Sequence, residues 1–97
     1  MNIVELDPAV YDFAVNYFGL EPKHNIYIQD GRKFINEQDS QSYDYVLHDV
    51  FTGGSIPSTL FSYEALEQIK RILKKDGVLA LVSFLPCVFN NFKKKYY

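Results

Sequence analysis

Apolar and polar positions change period several times along this chain. Ile3, Val4 and Leu6 make a short apolar run around Glu5, and Asp7-Pro8 follows. An aspartate directly ahead of a proline is a capping side chain before a first helical residue. Val10, Phe13, Ala14, Tyr17 and Phe18 then recur at helical spacing. They predict a helix over 8–18 that Gly19 ends. Ile26, Tyr27 and Ile28 predict a strand over 25–29, Asp30-Gly31 a turn, and Phe34 with Ile35 a short helix over 32–38. A polar loop leads to a strand over 43–50 built on Tyr45, Val46 and Leu47. The stretch 52–58, with Gly53, Gly54 and Pro57, reads as a flexible loop. Ser62 is placed to cap a second helix running to about Lys75, with Leu66, Ile69 and Leu73 as its stripe. Glu64 near its start and Lys70, Arg71, Lys74 and Lys75 near its end suit the helix dipole. Asp76-Gly77 should stop it, and 78–84 is an unbroken apolar strand.

Strands that alternate with helices argue for an α/β domain of about four parallel strands covered on both faces. Residues 85–97 break the pattern: Pro86 interrupts, and Lys93-Lys94-Lys95-Tyr96-Tyr97 reads as a solvated, irregular tail. Composition adds mainly exclusions. With 47% apolar and 23% charged residues the chain is too apolar to be disordered. A net charge of −2 gives no general attraction to nucleic acid or to an anionic membrane. No apolar run approaches the roughly 20 residues of a membrane helix. The opening residues lack the basic start and cleavage site of a signal peptide. Cys87 is the single cysteine, so no internal disulfide or multi-cysteine zinc site is expected, and no metal. The expected setting is reducing and cytoplasmic. Eight Tyr and eight Phe read as core filler.

Ligands of open parallel sheets bind at the carboxyl ends of the strands. There the first strand brings Glu5 and Asp7, the second Asp30-Gly31, and the third Asp49. Glu5 is placed to accept both hydroxyls of a ribose. Asp7 reads as a helix cap rather than a ligand contact. Asp30 is open between accepting a base's exocyclic amine and forming an Asx-turn before Gly31, which would permit close approach. Asp49, ahead of a loop, is the candidate general base or cation-binding group. His48 should face away from it and pack, and Cys87 has no neighbour that marks a nucleophile.

Val4-Glu5-Leu6-Asp7-Pro8, Asp30-Gly31-Arg32, Tyr43-Asp44-Tyr45-Val46-Leu47-His48-Asp49 and Leu73-Lys74-Lys75-Asp76-Gly77-Val78-Leu79 together resemble the spermidine synthase-like branch of the class I S-adenosylmethionine-dependent methyltransferase superfamily. The likeness runs from about residue 2 to 84. It implies a Rossmann-like sheet over 1–84 that binds a sulfonium nucleoside, either S-adenosylmethionine or its decarboxylated form. In polyamine aminopropyltransferases an amine attacks the aminopropyl carbon; related enzymes transfer the methyl group. By resemblance Glu5 holds the ribose hydroxyls, Asp30 meets the adenine amine, and Asp49 orients and deprotonates the acceptor amine.

Two departures shape the expectation. Thr52 stands where the aminopropyltransferases carry a second acid. The family's first strand and glycine-rich loop would precede residue 1, between the strands at 2–6 and 43–49, and its last strands would follow Phe84. The chain is therefore expected to be an incomplete Rossmann-like domain: a fragment or truncated relative of a spermidine synthase-like transferase, inactive alone, with a small nucleoside donor and an amine acceptor. Competing readings are a non-catalytic interaction module or pseudoenzyme that pairs through an open sheet edge, as a homo-oligomer or with a partner, and a flavodoxin-like binding domain using the Thr52-Gly53-Gly54-Ser55 loop.

Overall fold

The computed structural model describes residues 1–21, 24–50 and 58–82. In chain order the elements are β1 (Asn2–Glu5), α1 (Pro8–Phe18), β2 (Asn25–Ile28), α2 (Gly31–Glu37), β3 (Tyr43–His48), α3 (Ser58–Phe61), α4 (Tyr63–Ile72) and β4 (Leu73–Leu81). The expected alternation of strand and helix is present, with α3 as an addition that the loop reading of 52–58 did not anticipate. Cys87, the 85–97 tail, Thr52 and the Gly53-Gly54 loop lie outside the described residues.

The helix ends follow from local chemistry. Asp7 Oδ1 accepts the Ala9 N–H at 2.9 Å, and Pro8 is the first helical residue of α1. Gly19 takes the left-handed conformation (φ 70°), which lets the Leu20 N–H reach back to the Ala14 carbonyl at 3.0 Å. Ser62 Oγ caps α4 by accepting the Ala65 N–H at 3.2 Å. Asp30-Gly31 is not a turn: Asp30 is the N-cap of α2, its Oδ1 accepting the Lys33 N–H at 3.0 Å, and Gly31 is the helix's first residue.

α4 ends at Ile72 rather than near Lys75, and Leu73 is already strand. The backbone of the preceding loop stops it, because Gln41 and Ser42 donate their N–H groups to the carbonyls of Arg71 and Ile72 at 2.9 and 2.8 Å. Leu73 then pairs with Tyr43, but the next rung joins Tyr45 to Val78. Lys74 to Gly77 are thus the extra residues of a bulge opposite Asp44, whose Oδ1 receives Lys74 Nζ at 2.8 Å. A Cβ on Gly77 would lie 3.0 Å from both Leu73 Cδ2 and the Lys74 carbonyl. The glycine is there for the bulge, not to stop a helix.

All four strands have parallel partners, but in two separate pairs, β1–β2 and β3–β4, rather than one sheet. The core lies to one side. Ala65, Ile69 and Ile72 of α4 and Phe34 and Ile35 of α2 are buried. Tyr43, Val46, Leu60, Leu66, Leu73 and Leu79 pack around the Ile35–Ile69–Ile72 cluster. Arg71 ties the two helices together. Its guanidinium donates to the carbonyls of Ile35 (3.0 Å) and Gln38 (2.8 Å) at the end of α2, and to Gln68 Oε1 (2.7 Å).

Helices cover one face of β3–β4, and among the described residues the other face is open. Tyr45, Leu47 and Val78 on one face of β3–β4 are each more than half exposed. Much of the apolar stripe of α1 is open too: Phe13 is 56% exposed, Tyr17 74% and Phe18 84%, while Ala14 is half-buried. Several rings read as core filler therefore lie open, with Phe13 and Tyr17 against each other at 5.8 Å.

One hydrogen-bonded chain joins the two strand pairs. Asn25 Nδ2 donates to Asn2 Oδ1 (3.0 Å), Asn2 Nδ2 to the Tyr43 hydroxyl (3.0 Å), and the Tyr43 hydroxyl to Gln38 Oε1 (2.8 Å).

Candidate functional site

Parallel strands end together, so whatever follows them shares a rim. Glu5 is the last residue of β1 and pairs in register with Ile28 of β2. Asp30 lies two residues beyond Ile28, and Asp49 follows directly on β3. Two contacts show that β3 ends where β2 ends. The Leu60 carbonyl lies 3.1 Å from His48 Nε2, at the end of β3. The Leu60 side chain rests 3.5 Å from where a Cβ on Gly31 would stand, beside Asp30. At the opposite end, the Asn2–Tyr43 bond brings together the beginnings of β1 and β3. The chain thus gathers Glu5, Asp30 and Asp49 at one end of its strands.

Each carboxylate has a different local setting. Half-buried Glu5 turns Oε1 back to the N–H of Asp7 at 3.0 Å. Asp7 is occupied in capping α1, as its position before Pro8 implies. Asp30 is exposed and caps α2 with Oδ1. That settles its local role as a cap and leaves Oδ2 without a partner among the described residues. Asp49 is exposed, and none of the hydrogen bonds or ion pairs among the described residues involves its carboxylate. Among the described residues, one oxygen each of Glu5 and Asp30, and both of Asp49, have no hydrogen-bond partner, which suits a donor such as a ribose hydroxyl or an amine. Gly31 has a negative φ and only the Leu60 methyls nearby, at ordinary contact distance.

His48 packs, as its strand position implies. It is 5% exposed, sits edge-on to Phe61 with ring centroids 4.6 Å apart, and bonds the Leu60 carbonyl through Nε2. Its Nδ1 is buried without a partner. A ring that donates from Nε2 and leaves Nδ1 bare is neutral, and burial pushes its pKa below the ordinary 6.5. The unfolded chain then takes up this proton more readily than the folded one. Stability should be level above about pH 6.5 and fall on acidification, by at most about 1.4 kcal/mol per pH unit from this group. Urea denaturation from pH 5 to 8 checks this, and His48→Gln should flatten that part of the profile.

The sequence reading passed over the residues that hold this rim in place. Arg32 Nη1 donates to the Thr59 carbonyl (3.2 Å) and Ser62 Oγ (3.4 Å), drawing α3 over the start of α2. The cue was present in the Asp30-Gly31-Arg32 run. Among the described residues no group of three His, Cys, Asp or Glu side chains is arranged to hold a metal ion, and no helix is long and apolar enough to cross a membrane.

The fold recurs in solved structures. A probable spermidine synthase from Corynebacterium glutamicum superposes with a TM-score of 0.73 at 26% identity, over 82% of this chain and 29% of that one. Human methyltransferase-like protein 13, solved in complex with SAH, superposes with a TM-score of 0.74 at 22% identity, over 94% of this chain and 47% of that one. These neighbours place the chain among α/β transferase folds of the Rossmann-like kind. Residues 1–93 match the spermine/spermidine synthase domain, and the chain belongs to that family. Among curated relatives, an N-terminal histidine N-methyltransferase of Emericella nidulans is 45% identical over 84 residues, and a polyamine aminopropyltransferase of Vibrio vulnificus 39% identical over 88. The matches take in 82% and 87% of this chain but 15% and 29% of those proteins. The chain thus has the length of one section of its relatives.

Proposed function

We propose that this chain is the part of a spermidine synthase-like transferase that holds a sulfonium nucleoside donor and faces it with a catalytic carboxylate. The observation that carries the reading is the gathering of three strand-end acids with open oxygens, in a chain that belongs to the family. Glu5 Oε2 is free to accept ribose hydroxyls while Oε1 keeps the start of α1 in place. Asp30 caps α2 with one oxygen and offers the other to an adenine amine. Asp49, unencumbered at the end of β3, orients an acceptor amine and takes its proton. The donor, S-adenosylmethionine or its decarboxylated form, supplies an electrophilic methyl or aminopropyl carbon next to a positive sulfur, and a rim of carboxylates suits both that charge and a protonated amine. The relatives include both aminopropyl- and methyltransferases by name, so the reading extends to either transferred group. The donor-binding unit is residues 1–84, with 85–97 outside it. It works in the cytoplasm on small molecules, with neither nucleic acid nor membrane as partner, and is open to homo-oligomer formation. By itself this section binds donor weakly and does not turn it over.

Titration of the 97-residue chain with S-adenosylmethionine, followed by NMR, tests this. Amides of Glu5, Asp30, Gly31 and Asp49 are expected to shift together, with a dissociation constant on the order of millimolar. Glu5→Gln should weaken binding by about tenfold, the worth of a hydrogen bond to a charged group. Asp49→Asn should leave binding within about twofold, since its role lies with the acceptor. Shifts elsewhere, none up to saturation of the solvent with donor, or unaltered binding by Glu5→Gln overturn the site. Tight one-to-one binding overturns its incompleteness.

A further inference from the structure

A buried ring nitrogen without a partner sits directly before Asp49. His48 is 5% exposed, among the described residues whose other buried side chains are Phe34, Ile35, Ala65, Ile69 and Ile72, and its Nδ1 makes no hydrogen bond. An apolar side chain would fill that place without stranding a nitrogen. What the imidazole adds is the Nε2–H donor, 3.1 Å from the Leu60 carbonyl. Leu60 lies in α3, a single turn whose carbonyls have no partner within the helix. Its side chain packs against the Ile35–Ile69–Ile72 cluster, and its methyls rest beside Gly31. Arg32 ties the same turn to α2 through the Thr59 carbonyl at 3.2 Å. α3 is thus fixed to the helix that Asp30 caps, and His48 fastens β3 to α3 through the Leu60 carbonyl and the Phe61 ring.

Asp49 inherits its place from this residue. The last rung of β3–β4 joins His48 to Leu81, and the bond beyond it is again made by His48, whose carbonyl accepts the Val82 N–H at 3.1 Å. The Asp49 carboxylate has no hydrogen bond or ion pair among the described residues. We infer that His48 is a positioning residue: its bond to the Leu60 carbonyl sets where Asp49 stands relative to Asp30. The inference rests on the reading of Asp30 as a donor contact and Asp49 as the acceptor's base. Transfer then needs the two at a fixed separation, and a misplacement of about 1 Å costs rate on the order of a hundredfold. His48 itself touches neither substrate. Exposed Leu47 and Asp49 flank it, and side chains alternate along a strand, so the imidazole lies on the covered face, away from the rim. Glutamine offers a donor of similar reach at this position, and leucine a similar bulk without one.

Amide spin relaxation and imidazole nitrogen spectra of the full 97-residue chain, recorded without donor, test this. In the parent chain Nε2 should carry the proton and Nδ1 should not. The parent's Asp49 amide should be rigid, with an order parameter of about 0.85. His48→Leu is expected to stay folded and to let the Asp49 amide fall below about 0.6, with Val46 and Asp30 unchanged. His48→Gln should restore Asp49 to the parent value. Ile72→Val weakens the same core without touching the Leu60 carbonyl, so it should lower the urea midpoint and leave Asp49 rigid. A proton on Nδ1 overturns the inference, as does an Asp49 amide that is already mobile in the parent or still rigid in His48→Leu. So does equal mobility in His48→Gln and His48→Leu, or in Ile72→Val and His48→Leu. Unfolding by His48→Leu also overturns it and assigns His48 to the core alone. No donor takes part in these readings, so failure of the donor titration and failure of the His48 tie are told apart.

Discussion

Ile69→Ala is expected to remove the larger part of the chain's stability. Ile69 is the largest fully buried side chain among the described residues, and it touches both Ile35 of α2 and Ile72 of its own helix. Truncating such a residue costs about 2–5 kcal/mol, through lost burial and the cavity left behind. Small domains have about 5–15 kcal/mol in all. This one buries few apolar side chains and leaves a helix stripe and a sheet face open, so it belongs at the low end. The urea midpoint should fall by about 2 M or more, with little native baseline left. Ile69→Val, which keeps the branched shape, should cost about 1 kcal/mol. A midpoint for Ile69→Ala within a few tenths molar of the parent would mean that α2 and α4 do not share this core.

The second large effect is at Arg71. Its three-sided guanidinium meets the carbonyls of Ile35 and Gln38 and the side chains of Gln68 and Ser40, the last at 3.3 Å. It reinforces the end of α2, where the Gln38 N–H already reaches the Ile35 carbonyl at 3.2 Å and Gln38 Nε2 the Phe34 carbonyl at 3.1 Å. Arg71→Met keeps the stem but takes the charged donor from two carbonyls, of which Ile35 keeps the Gln38 N–H, for an expected loss of about 2 kcal/mol. Arg71→Lys should recover less than half, because an ammonium cannot reach both carbonyls in one plane. Amide exchange would show the loss first in α2. Lys75→Met, on an exposed bulge residue, should stay within about 0.5 kcal/mol. Equal effects at 71 and 75 would remove the capping role.

What could be seen in the sequence divides by range of interaction. The ends of α1 were legible because Asp7-Pro8 and Gly19 act within a few residues. Ser62 was legible for the same reason. The strand-end positions of Glu5, Asp30 and Asp49 were legible because parallel strands of similar length finish at one side. The end of α4 was misread, since Lys74-Lys75-Asp76-Gly77 carries every local mark of a helix terminus. What overrode those marks lies about thirty residues away in the chain: the Gln41 and Ser42 amides and the Asp44 carboxylate. The reach of Arg71 into α2 and the Asn2–Tyr43 bond are equally non-local, and no spacing rule contains them. The open stripe of α1 was illegible for the opposite reason. Periodicity reports that a helix has a face to bury, not whether this stretch of chain provides the cover.

The Tyr43 phenol has its hydroxyl engaged on both sides, accepting from Asn2 and donating to Gln38. Leu60 makes a comparable tie at the far end, between His48 and the start of α2. Ties at both ends fix how the strand pairs and α2 stand to one another, so cutting either one should loosen the end it holds before the other.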